Sequence, residues 1–312
     1  MSLMSRFLYW CKTPTGQKVG TGLCIGINFG VFYAVYLPQT FFIQKLKNLV
    51  QLNEMGKPVE VPEDLKILFN EVIGDLEFQE FERKVVEPFI VCRFRPFQAG
   101  VLHSTSGGII GIPWHFTYND ILDVKIPKLS LFKMPVDVSR LETEDLAESL
   151  VLSRDAKKFA IAHELCLLRE SECILNSVFA SAFCFLSYSV SQVVKHKFHL
   201  YTKSLSLRLL LYTTSGFVGA ALYFIQKDYY AKKLEKKIDA ELAKLNNSYL
   251  QGGLEYYSKV MKTNIALRKL LDDYGDKTYD DKGDLVYLWR QKTTPYSERK
   301  LFFEMLANTE KA

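Results

Sequence analysis

CILNSVFASAFCFLSYSVSQVV (residues 173–194), KHKFHLYTKS (195–204) and LLLYTTSGFVGAALYFIQ (209–226) follow one another along the chain. The first and last carry no Asp, Glu, Lys or Arg. A helix of about 20 residues, rising 1.5 Å per residue, covers the ~30 Å hydrocarbon core of a bilayer. The two apolar runs therefore predict a membrane hairpin, spans 173–194 and 209–226, joined by the short basic loop 195–208. Upstream, residues 19–38 (VGTGLCIGINFGVFYAVYLP) are also free of charge and predict a first span. Arg6, Lys12 and Lys18 lie in the tail 1–18, Lys195, Lys197 and Lys203 lie in the loop, and no acidic residue precedes Glu54. Positively charged short segments stay on one side of a membrane. Three crossings then bring residues 39–171 and 227–312 out together on the opposite side.

Those two segments hold most of the charge and read as folded. Residues 63–82 (EDLKILFNEVIGDLEFQEFE) have amphipathic helical spacing, and 89–97 (FIVCRFRPF) alternate as a strand that Pro96 ends. In 104–113 (STSGGIIGIP) a turn on Gly107-Gly108 leads into a short apolar strand. Ser153 suits the cap of a helix over 153–171, with Asp155 favourable in its first turn. Phe159, His163, Cys166, Leu167 and Glu170 share one face of that helix. Residues 227–272 are helical in pattern, with Leu234, Ile238, Leu242 and Leu245 in register, and Gly252-Gly253 reads as a break. DKTYDDKGDLVYL (276–288) reads as a hairpin around Lys282-Gly283, and a last helix follows Pro295. In the first span, Gly22, Gly26 and Gly30 form a small-residue ridge that suits close helix packing.

Composition narrows the function. A net charge of +5 over 312 residues, with no basic aromatic-laced stripe, gives no case for nucleic acid. The cysteines (Cys11, Cys24, Cys92, Cys166, Cys173, Cys184) form no C-x-x-C, so neither a disulfide framework nor a zinc finger is expected. No cleavable secretory signal is read, because the first apolar block starts late and is long enough to span. There is no phosphate-binding loop, nucleophile elbow, dinucleotide fingerprint or EF-hand. The spans hold no Asp, Glu, Lys or Arg apart from Arg208 near an end, which argues against an ion pathway.

One constellation resembles chemistry. His163-Glu164 sits on the helix before the second span, where a zinc protease would carry H-E-x-x-H, but Leu167 stands at the second His position. Glu235 and Asp239, on the helix after the hairpin, match the E-x-x-x-D in which Glu is a third zinc ligand and Asp orients a ligand His. The order of strand, metal helix, membrane hairpin and third-ligand helix resembles the integral-membrane gluzincins over residues 104–260. Three readings stay open. The side chains are plain packing and solvated charge; the fold is a gluzincin whose site has decayed; or the enzyme is active, with Cys166 replacing the lost ligand. His103 and His115 flank the Gly-Gly strand as further ligand candidates.

A second resemblance covers nearly the whole chain. Gly111-Ile112-Pro113 with Asp120, Leu152–Ala160 (LSRDAKKFA), Gly252–Lys259 (GGLEYYSK), Asn264–Arg268 (NIALR) and Gly275–Tyr279 (GDKTY) resemble the transmembrane protein 177 family. That resemblance implies a mitochondrial inner-membrane protein of cytochrome c oxidase biogenesis. Such a protein associates with newly made oxidase subunit II and with that subunit's membrane chaperone, and limits their turnover. The family supplies no catalytic residues to carry over. The soluble segments would then face the intermembrane space.

The expectation is therefore an α-helical integral membrane protein with a small β element and three transmembrane helices, on a degenerate gluzincin-like fold. It is expected to be non-catalytic, without cofactor or metal, and to partner subunit II, its chaperone and the lipid bilayer. The rival is an active membrane zinc metallopeptidase using His163, Glu164 and Glu235. Leu254, Tyr256, Tyr257 and Leu267 are the candidate partner surface, although the same aromatic spacing also suits a core.

Overall fold

Three helices in this computed structural model are long and apolar enough to cross a membrane. The structure describes residues 6, 9, 10, 13–124, 130, 131, 134, 135 and 141–311. Half of the N-terminal tail, Cys11 and Lys12 included, lies outside the described residues. The described chain divides into a unit formed by residues up to Phe41 with Glu172–Tyr229, and a unit formed by Phe42–Ser171 with Tyr230 onward.

The first unit holds the spans. Helix α1 (Pro14–Tyr36) starts at Thr13, whose hydroxyl accepts from the Gly16 N–H at 3.1 Å, with Pro14 in the first turn where no N–H partner is needed. Later in the chain come α7 (Glu172–Lys197) and α8 (Leu205–Leu245). α1 packs on α7. The face it uses is not the glycine ridge. Asn28 is buried there, Ser181 Oγ donates to the Asn28 carbonyl at 3.5 Å, and Cys173 lies against the Val35 carbonyl. Gly22, Gly26 and Gly30 are exposed, with open space where a side chain would stand. The small-residue spacing is real, but the polar Asn28 takes the buried face, since an amide costs more than a glycine when left toward hydrocarbon. The third span is the first part of a 41-residue helix, roughly 60 Å long, that runs without a break to Leu245.

The second unit joins both extramembrane segments in one body. A shared hydrophobic core requires that both lie in one compartment. Its first helices are α2 (Ile43–Val50), α3 (Glu63–Asp75) and α4 (Glu80–Val85). The expected helix 63–82 is thus two. Glu77 turns the chain at φ +52, and Gln79 with Glu82 forms a new capping box. A three-stranded sheet follows, made of β1 (Val86–Val91), β2 (Phe97–Gly100) and β3 (Gly108–Pro113), in the order β1-β3-β2. β1 runs parallel to β3, with Val86 opposite Gly108, and β2 runs antiparallel to it, with Phe97 opposite Gly111. The expected single strand 89–97 is therefore two strand ends and a bend. Alternation continued through Arg93 and Arg95, but Pro96 cannot donate to a ladder and the chain reverses there. Every residue of β3 is buried.

Helices α5 (Leu141–Leu150) and α6 (Arg154–Arg169) lead to α7; α9 (Asn247–Leu270), α10 (Asp272–Thr278) and α11 (Tyr296–Lys311) follow α8. Ser153 caps α6 as its sequence suggests, accepting from the Ala156 N–H at 3.2 Å. α9 packs against α5, α6 and α11. It runs straight through Gly252-Gly253. The break falls at Asn246, whose side chain accepts from the Ser248 N–H at 2.8 Å and caps the new helix. The glycines serve close approach instead. A Cβ on Gly252 would lie 2.3 Å from the Asp155 carbonyl oxygen, and one on Gly253 would strike the Phe303 ring. The expected hairpin 276–288 is reduced to α10 and one bridge, Tyr279 to Leu285, with Gly283 at φ +85 in the turn.

These contacts give opposite expectations for two glycine substitutions. Gly252→Ala should cost about 2–3 kcal/mol by overpacking against α6 backbone, read as a lowered melting temperature in detergent. Gly22→Ala, in open space on a helix, should cost nothing.

Candidate functional site

Four helices of the second unit converge on one buried polar cluster. α6 contributes His163 and Glu164, α8 contributes Glu235 and Asp239, α9 contributes Tyr257 and α11 contributes Arg299. Arg299 is 6% exposed and Asp239 is 2% exposed. The guanidinium donates from Nε to Asp239 Oδ2 at 2.6 Å and from Nη2 to Asp239 Oδ1 at 2.8 Å. The Tyr257 hydroxyl donates to Asp239 Oδ1 at 2.8 Å, and the Arg299 cation lies 4.5 Å from the centre of the Tyr257 ring. Burial works against the Arg299 charge, but Tyr257 and Asp239 outweigh it and raise its pKa well above the ordinary value. Burial first, and then the neighbouring carboxylate, keep Tyr257 protonated.

His163 closes the cluster. Its Nε2 stands 2.6 Å from Arg299 Nη2. A guanidinium can only donate, so Nε2 accepts and Nδ1 carries the hydrogen. Nδ1 faces Glu164 Oε1 at 3.3 Å. The imidazole lone pair that a zinc ion would need is thus held by a permanent cation from α11. The other candidate ligands are also committed. Glu235 Oε2 accepts from the Thr294 N–H at 2.7 Å, in the segment before α11. Cys166 has its thiol pushed up to about 12 by burial, and its charged neighbours are Arg169, Glu241, Glu170 and Lys237. Leu167 packs against the hydrophobic core. Among the described residues, no three His, Cys, Asp or Glu side chains are grouped so as to hold a metal. The residues present do not fit zinc.

The remaining sequence candidates lie apart from this cluster. His103 is exposed and meets the edge of Phe81. His115 is buried among Phe94, Trp114 and Phe116, and desolvation with nearby Lys157 drives its pKa down to about 3. Of the expected partner surface, Tyr256, Tyr257 and Leu267 are buried and Leu254 packs against the core. They are core because α9 lies between α5, α6 and α11.

Sequence reasoning missed Arg299 and Tyr257 as parts of the cluster. Arg299 lies in a charged stretch (SERK) at the start of a helix, where exposure is the ordinary fate of a cation. It also missed a second network. Lys158 Nζ bonds Glu71 Oε1 and Asp75 Oδ2, each at 2.7 Å; the Tyr249 hydroxyl donates to Asp75 at 2.8 Å and Arg154 pairs with Glu71. The network ties α6 to α3 and α9. Hydrogen bonds from Lys158 and Arg154 hold the Glu71 carboxyl below its ordinary pKa. Burial works against the Asp75 charge, but bonds from Lys158 and Tyr249 bring its pKa down as well. Beside it, Lys157 is buried too and donates to the Tyr118 carbonyl and Asn119 Oδ1.

Comparison with known proteins gives a single family. The sequence profile described as Transmembrane protein 177 matches residues 98–300. The chain is 29% identical over 293 residues to Transmembrane protein 177 of Homo sapiens, covering 93% of each. It is 30% identical to the protein of that name from Mus musculus, over 93% of each chain, and 30% identical to that from Xenopus laevis, over 96% of each. No solved structure matches.

Two expectations follow from the networks. Arg299→Met leaves Asp239 buried without its cation and should cost about 3–5 kcal/mol, and adding Asp239→Leu should restore part of that loss; thermal melts of the three variants read the coupling. The depressed carboxylates of Glu71 and Asp75 stabilise the fold above their unfolded pKa values of about 4 and lose that contribution as pH falls through the lower folded values. The raised Lys158 contributes below about pH 10.5 and loses its share only above that. Lys158→Met should therefore lower the melting temperature most at pH 7, with the gap to the parent protein closing below about pH 4.

Proposed function

The chain belongs to the transmembrane protein 177 family, and from that premise we propose that it is a non-catalytic assembly factor of the mitochondrial inner membrane. It stabilises newly made cytochrome c oxidase subunit II, together with that subunit's membrane chaperone, until assembly. In this reading the basic tail and loop face the matrix, and the body built from residues 42–171 and 230–312 stands in the intermembrane space.

The observation that carries the non-catalytic part is the position of Arg299. A guanidinium bonded to both His163 Nε2 and Asp239 turns the would-be reactive cluster into a clamp between helices. A hydrolytic site needs its imidazole or metal open to substrate, and here the same atom is spent inside the protein. The observation that supports a partner role is the surface around Leu288 and Trp289. These side chains are 96% and 95% exposed, beside Arg290 in the segment before α11. An exposed Trp-Leu pair is the composition of a contact surface.

Pulse-labelled mitochondria test the proposal. The tagged chain should co-purify with new subunit II, and its removal should shorten the lifetime of that subunit. Leu288→Ala with Trp289→Ala should weaken capture with little change in melting temperature, whereas Glu164→Gln should leave capture and subunit lifetime intact. Chelator-sensitive peptide cleavage abolished by Glu164→Gln would overturn this reading in favour of the zinc metallopeptidase.

A further inference from the structure

The membrane unit contains a groove of about 640 Å³, walled by α1, α7 and α8, with Ile27, Val31, Phe183 and Ala220 among its lining. In a bilayer such a surface is filled by hydrocarbon or by another helix, since water in it would leave apolar surface wetted. On α1 the groove extends from Gly20 to Val35, a rise of about 22 Å that an extended acyl chain can follow. The charge at one end separates the two.

Charge at one end identifies the head group. Ser191 of α7 and Tyr212 of α8 line the groove there. One turn beyond Ser191, Lys195 is buried, donates to the Tyr212 hydroxyl at 3.0 Å and lies over the Tyr201 ring at 4.7 Å. Arg208 stands one turn before Tyr212 on the same side of α8, and its Nε is buried without a hydrogen-bond partner. The chain offers these cations no carboxylate nearby, because no Asp or Glu occurs from residue 1 to 53 or from 173 to 227. A buried guanidinium N–H without an acceptor is costly. A phosphate at the membrane surface would supply that acceptor and a charge-assisted bond to Lys195 as well.

We propose that this groove is a binding site for an anionic phospholipid, with acyl chain along α1, α7 and α8 and phosphate between Lys195, Arg208 and the Tyr212 hydroxyl. The proposal stands apart from any partner in the aqueous compartment. Juxtamembrane cations of this kind favour anionic lipids over zwitterionic ones.

The full-length protein is reconstituted into nanodiscs of equal phosphatidylglycerol and phosphatidylcholine, and lipids retained after release are counted by native mass spectrometry. The parent protein should keep phosphatidylglycerol with at least about tenfold preference. Lys195→Gln with Arg208→Gln should still retain lipid but lose the preference. Gly216 lines the groove with open space around it, so Gly216→Leu should fill the groove and retain neither lipid while circular dichroism stays unchanged. Equal retention of both lipids by the parent, retention unaffected by Gly216→Leu, or dissociation of a dimer by Gly216→Leu would each overturn the site.

Discussion

A guanidinium taken out of water costs several kcal/mol unless its donors and charge find partners. Arg299 finds them on three other helices, from the Asp239 carboxylate, the His163 lone pair and the Tyr257 ring. Because these groups come from α6, α8 and α9, and Arg299 itself from α11, satisfying the cation fixes how four helices meet. The cluster therefore gives the second unit specificity of arrangement, whatever its net contribution to stability. Leu167 follows from the same constraint. With a cation already seated on His163, a second histidine would gain no metal, and a core side chain is the better neighbour.

Around that clamp the unit closes by close approach. α9 meets the start of α6 at Gly252 and α11 at Gly253, where any side chain would strike backbone or the Phe303 ring. β3 uses the same device, since a Cβ on Gly108 would strike Leu168. One ionic network and one carboxylate cap then lock the outer helices to the core. Lys158 joins Glu71 and Asp75, and Glu255 receives both the N–H and the hydroxyl of Ser153 at the head of α6. The buried Lys158 and its half-buried carboxylates hold elements together.

The membrane unit obeys a different rule. Hydrocarbon offers no partner to a polar group, so Ser177, Ser187 and Ser191 return their hydroxyls to carbonyls one turn back, at 2.8 Å, and Asn28 donates to the Cys24 carbonyl. The unit leaves Asn28 Oδ1, Asn176 Oδ1 and Arg208 Nε buried without a partner, and at its basic end Lys195 and Arg208 stand without carboxylates. That asymmetry and the small-residue walls of the groove arise from one composition, poor in acid and rich in Gly, Ala and Ser.

The sequence by itself located the three apolar helices long enough to cross a membrane and the short basic loop between the last two. It did so because the bilayer imposes length and polarity on each span one at a time, independent of its neighbours. It also determined local features with local causes, such as the Ser153 cap and the turn before Gly108. Only the tertiary structure decided which face of α1 is buried, that Gly252-Gly253 joins helices instead of ending one, that Tyr256, Tyr257 and Leu267 are core, and that Arg299 lies beside His163. Each of these depends on residues that meet across long stretches of chain. Arg299 and His163 are 136 positions apart, and nothing in the spacing around either residue encodes the other.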